Sequence, residues 1–105
     1  MLEKRTIIDQ IEITRNGIIQ IRFAKQIVED GREISLQWHR TSLEPGADLD
    51  GQLLAVNLHL QQMGEAACQD AEKLTLLHSV VQLTHTPEVL QRFTDQQAKG
   101  IKDII

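Results

Sequence analysis

The apolar positions of this chain change period part-way along. In the N-terminal part they alternate. Ile7, Ile11 and Ile13 are followed, past Arg15-Asn16-Gly17, by Ile19, Ile21, Phe23 and Ile27; past Asp30-Gly31 come Ile34 and Trp38. A period of two predicts strands with one buried face. The Asn-Gly and Asp-Gly pairs predict the hairpin turns between them. Residues 6–41 therefore read as a three-stranded antiparallel meander with its middle strand central.

Register follows from which residues must share a face. A two-residue loop at Asn16-Gly17 would pair Ile13 with Gln20 and put the apolar sets on opposite faces. A three-residue loop, Arg15-Asn16-Gly17, pairs Ile13 with Ile19 and Ile11 with Ile21, with Gly17 supplying the positive φ. For the second turn, a two-residue Asp30-Gly31 loop is expected to pair Ile27 with Ile34 and Phe23 with Trp38. That places Trp38 in the core, with Asp9 and Arg40 also on the inner face. His39 then points outward beside Arg22 and Gln10.

Beyond Leu43 the spacing becomes helical. Leu49, Leu53, Val56, Leu60 and Met63 mark a helix over 48–63, with Asp48 as N-cap and Gly64 as its stop. Leu54 and Leu58 widen its apolar side, which predicts packing on two neighbours. A second helix is expected over 70–85, carrying Leu74, Leu77 and Val81. A third is expected over 87–99, opened by Thr86-Pro87 and ended at Gly100, with Leu90, Phe93 and Gln97 inward. The expected fold class is α+β: a three-stranded antiparallel meander (about 6–41) followed by three helices packed on one face, within a single domain 1–105. Both sheet edges would be long enough to pair with a second copy.

Composition narrows the functional classes. Of the 105 residues 41% are hydrophobic and only 3% aromatic, so the core rests on Ile, Leu and Val. Net charge is −4. Residues 1–42 carry seven basic and six acidic side chains, and residues 43–105 four and nine. The absence of any Lys/Arg cluster argues against charge-driven binding to nucleic acid or to an anionic membrane. Cys68 is the sole cysteine, so no intramolecular disulfide can form. The N-terminal MLEKRTIIDQ lacks the apolar run of a signal peptide, and with a single cysteine the expected location is a reducing cytoplasm.

The chemistry-bearing residues do not converge on a site. His78 and His85 share a helix but stand seven apart, and His39 and His59 lie elsewhere; metal ligation wants a spacing of three or four with a third ligand. Cys68 lies in GEAACQ, with no Gly-rich elbow around it. Glu44, Asp48 and Asp50 gather at a helix start, where capping accounts for them. No catalytic residue, metal site or cofactor is expected. The outward sheet face is more telling, since arginine and histidine amid glutamines suit an anionic or planar partner. The candidate binding residues are Arg22, His39, Gln10 and Gln37 of that face, together with Arg40 near the sheet's end.

Several short runs carry a resemblance. They are Thr14-Arg15-Asn16-Gly17 with Gln20-Ile21-Arg22, Trp38-His39-Arg40-Thr41, Pro45-Gly46-Ala47-Asp48, Val56-Asn57 with His59-Leu60, and Met63-Gly64. Together residues 11–65 resemble short tailed-phage and prophage proteins encoded near tail and tail-fibre genes. The resemblance implies a virion-associated or accessory protein that acts by contact and is commonly oligomeric, its partner being itself or another phage or host protein. It brings no catalytic residues, and it does not extend past Cys68.

Overall fold

The computed structural model describes residues 1–104, with side chains described for residues 1–98. Three strands precede three helices: β1 (Leu2–Ile13), β2 (Ile19–Glu29), β3 (Arg32–Leu43), α1 (Leu49–Gln62), α2 (Ala71–Thr84) and α3 (Pro87–Ile104). The strands form one antiparallel sheet in the order β1-β2-β3. The α+β arrangement is as expected. The strands are longer than the pattern implied, with pairing that runs from Leu2↔Glu29 in β1–β2 to Ile19↔Leu43 in β2–β3.

The β1–β2 turn has the expected form. Ile13 pairs with Ile19 and Ile11 with Ile21. Gly17 has φ +84°, and Thr14 N–H donates to the Ile18 carbonyl at 2.9 Å. The β2–β3 turn is also the expected two-residue loop. Asp30 (φ 52°) and Gly31 (φ 81°) are both left-handed, and Glu29 pairs with Arg32. Left-handed conformations at both central positions follow the right-handed twist of the flanking strands.

Past that turn the register departs from expectation. Val28 pairs with Glu33 but Ile27 pairs with Ser35, so Ile34 is an extra residue in β3. This bulge moves the remainder of β3 by one position, and a one-residue slip exchanges the faces. Phe23 therefore pairs with His39 and Ala24 with Trp38. Trp38 is 41% exposed rather than in the core. A second bulge in β1, between Ile8 and Gln10, leaves Asp9 unpaired. Ile8 takes the place beside Phe23 that Asp9 was expected to fill. Arg40 pairs with Arg22 on the outer face, and Thr41 stands on the Ile21 rung instead.

Leu43 is the physical reason for the slip. With the bulge it pairs with Ile19 on the inner face and is 1% exposed. Without it, Ser42 would hold that position and Leu43 would face water. Burying a leucine in place of a serine favours the bulged register by roughly 1.5–3 kcal/mol of apolar transfer. The same inner face lies beneath α1, where Gln52 Nε2 donates to Thr41 Oγ1 at 2.6 Å.

The core joins Ile8, Ile19, Ile21, Phe23 and Leu43 of the sheet to Leu49, Leu53, Val56 and Leu60 of α1, with Leu77 of α2 and Cys68 of the linker. Asp48 caps α1 by accepting from Gly51 N–H at 3.2 Å. Gly64, with φ +78°, ends it, and Glu65 N–H returns to the Leu60 carbonyl at 2.8 Å. Leu54 and Leu58 have no second neighbour among the described residues and are 61% and 51% exposed. Thr86 opens α3, its carbonyl and hydroxyl accepting from Leu90 and Val89 N–H. The α3 backbone continues through Gly100 instead of ending there. Leu90 and Phe93 are partly buried as expected, whereas Gln97 is exposed. No helix among the described residues is long and apolar enough to cross a membrane.

Candidate functional site

Among the described residues the outer face of the sheet has no helix over it, and it is shaped by the two bulges. The bulge at Asp9 turns that carboxylate outward onto Arg22, whose Nε donates to Asp9 Oδ2 at 2.9 Å. The same guanidinium lies over the Trp38 ring, with Cζ 4.2 Å from the ring centroid. Arg22 is thus held by an ion pair and a cation–π contact at once. Beside it a depression of about 500 Å³ is lined by Gln10, Glu12, Gln20, Arg22, Arg40 and Ser42, among others. Arg40 has no ion-pair partner among the described residues. This surface can hydrogen-bond a flat partner and offers one uncompensated cation at its rim.

The sequence-predicted binding set is only partly brought together. Gln10, Arg22 and Arg40 share one rung of this face. His39 and Gln37 do not belong to it. The bulge at Ile34 turns both inward, His39 opposite Phe23 and Gln37 opposite Lys25. Asp9, Trp38 and Arg40 are the outer-face residues that the alternating pattern places inside. Two spacings carried the signal. Ile8 and Ile11 stand three apart in an otherwise alternating strand, and share the inner face only because an extra residue lies between them. Trp38 and Leu43 stand five apart, so in a regular strand only one of them can face inward, and the bulge at Ile34 selects Leu43.

The histidines serve separate contacts. His85 Nε2 donates to the Gly17 carbonyl at 2.8 Å, tying the start of α3 to the first turn. His78 bridges α2 to α1, donating through Nε2 to Asp50 at 2.8 Å and through Nδ1 to the Leu74 carbonyl. Those bonds, the Leu74 carbonyl first, raise its pKa. Its imidazolium strengthens the α1–α2 contact below the ordinary histidine range, and that contribution fades as pH rises through the elevated pKa. His39 behaves in the opposite sense. Its ring lies 5.6 Å from that of His59 on α1. Burial, then the neighbouring His59 and Lys25, lower its pKa from 6.5.

Neutral His39 is therefore the form the fold accommodates. Stability is complete above pH 6.5 and declines as pH falls toward the lowered value. His39→Gln is expected to flatten the stability–pH profile between about pH 5 and 7, where histidine titrates. Urea unfolding across that range measures it; an unchanged acid-side slope in the variant would show that another group is responsible.

Cys68 is a linker residue, 6% exposed, whose backbone N–H donates to Asn57 Oδ1 at 2.9 Å. Burial pushes its thiol pKa up, away from the thiolate that nucleophilic chemistry requires. Among the described residues no group of three or more His, Cys, Asp or Glu is placed to hold a metal ion.

The chain thus belongs to the open-faced α+β class: a meander with helices on one side and a polar, bulge-shaped surface on the other. Comparison with protein-family models, with characterised proteins and with solved structures finds no match.

Proposed function

We propose that this protein is a non-enzymatic structural or assembly accessory of a tailed phage, associated with the tail module and acting through self-association and protein contacts. The observation that carries the reading is the state of β3. Its outer edge has no covering element among the described residues, and Ile34, Leu36 and Trp38 along it are 51%, 39% and 41% exposed. An uncovered strand with apolar side chains is a template for pairing with another chain. The phage setting rests on the resemblance carried by residues 11–65. Self-association is expected at tens of micromolar, the range of weak transient contacts. Multi-angle light scattering or sedimentation velocity reads it directly. A strict monomer throughout that range would remove the reading.

A second reading rests on the outer-face depression and its uncompensated Arg40. There the protein would be a phage counter-defence module that inhibits a host factor or captures a small anionic signalling molecule. A saturable rise in Tm with nucleotides or cyclic nucleotides, lost in Arg40→Ala, would favour it over the structural role. The tail residues Ile101, Ile104 and Ile105, candidates for self-association from sequence, have side chains outside the described residues.

A further inference from the structure

The sheet has two edges, and the fold treats them differently. The β1 edge is closed by the linker between α1 and α2. Lys4 Nζ donates to the Gly64 carbonyl at 3.0 Å, and Thr6 Oγ1 to the Ala66 carbonyl at 2.6 Å. Thr6 forms a parallel bridge with Cys68, and Ile8 N–H donates to Asp70 Oδ2 at 3.3 Å. Among the described residues the β3 edge has no equivalent. Its centre, Ile34-Ser35-Leu36-Gln37-Trp38, contains no charge and no proline, the residues that ordinarily protect an edge.

We infer that β3 pairs antiparallel with β3 of a second copy of this chain, about a two-fold axis at Gln37, making one continuous six-stranded sheet. The inference rests on the self-association proposed above and names its partner and register.

Charge selects the orientation. The charged residues of β3 lie at its ends, Arg32 and Glu33 at one and Arg40 at the other. Parallel in-register pairing would stack Arg40 on Arg40. Antiparallel pairing centred on Gln37 sets Leu36 against Trp38 of the second copy, twice; it opposes the bulged Ile34 to Arg40 of that copy and brings the neighbouring Glu33 toward the same arginine. Moving the axis to Leu36 would oppose Arg32 with Arg40. Moving it to Trp38 would set Leu36 against Arg40 and place Glu33 opposite Leu43, away from that arginine. A two-fold normal to the sheet keeps the outer faces together, so Trp38, already held by Arg22 at 4.2 Å, meets the partner with its ring ordered.

The helices permit this arrangement. The Gln52–Thr41 bond and the His59–His39 contact place α1 over residues 39–41 of β3. The axis at Gln37 carries the α1 of the second copy to the opposite end of the strand pair, so the two do not collide.

Sedimentation of wild type, Leu36→Lys and Trp38→Lys tests the edge, with Leu54→Lys and Leu83→Lys as controls on exposed helical leucines. The edge variants are expected to raise the dimer Kd by about tenfold or more, and the controls to leave it within about twofold. A wild-type dimer lost in the helix variants but kept in the edge variants overturns the edge while preserving self-association. A monomeric wild type removes both. Oxidative cross-linking is a second measure that does not depend on the charged variants folding. Gln37→Cys is expected to form a disulfide-linked dimer far faster than Gln20→Cys on the central strand, and equal rates would overturn the register.

Discussion

Phe23→Ala is expected to cost about 3–5 kcal/mol, the range for removing a fully buried aromatic ring from a packed core. Phe23 is 0% exposed. It stands between Ile8 of β1 and His39 of β3, within the cluster that α1 covers. Truncation leaves a cavity where sheet and helix meet, and the sheet cannot close on it without breaking pairing. For a domain of this size that is a large share of a total stability of about 5–15 kcal/mol. Trp38→Ala is the necessary comparison. Trp38 is the larger ring, and inspection of the alternating pattern alone would rank its loss as equally costly. Its 41% exposure and its stacking on Arg22 predict a smaller loss, about 1–2 kcal/mol, from partial burial and a surface cation–π contact. Urea unfolding of the two variants, at concentrations where the chain is monomeric, settles the order. A larger loss for Trp38→Ala would mean that β3 has no bulge at Ile34.

Gly17→Val is the second large effect, expected at about 3–4 kcal/mol from backbone strain and overpacking together. Gly17 sits at φ +84°, and a Cβ built there would stand 2.6 Å from Val89 Cγ1 and 3.5 Å from Pro45 Cγ. The first turn is therefore more than a hairpin end. It is where β1–β2, the β3–α1 connection and the first turn of α3 converge, and the His85 bond to the Gly17 carbonyl fastens the same point. Gly31 separates strain from crowding. Its φ is +81°, but a Cβ there meets nothing within 4 Å. Gly31→Ala is expected to cost about 1 kcal/mol, and Gly17→Ala clearly more. Equal losses at the two glycines would show that α3 does not pack on this turn.

The turns, strands and helix caps were legible because each depends on a few neighbouring residues. Gly17, Asp30 and Gly31 sit in left-handed conformations, and Asp48 and Thr86 accept from the backbones that follow them. The candidate site was legible only in part. Gln10, Arg22 and Arg40 meet on one rung, but Asp9, Trp38 and Arg40 lie on the outer face where alternation places them inside, and His39 and the exposed Gln37 lie on the inner face where it places them outside. All five differences have one origin. Two strands each contain an unpaired residue, and a bulge reverses every facing argument beyond it.

By itself the sequence determined the order and kind of elements, the two turn types and the apolar sets available for burial. These are local properties, fixed by periodicity and by the φ values particular residues accept. Tertiary structure decided which of two registers β3 adopts and which sheet edge stays open. The first turns on whether Leu43 lies under α1, the second on a linker some sixty residues from the strand it covers. Both are set by contacts between distant segments, whose energies sum only once the helices have packed, so no local pattern can express them.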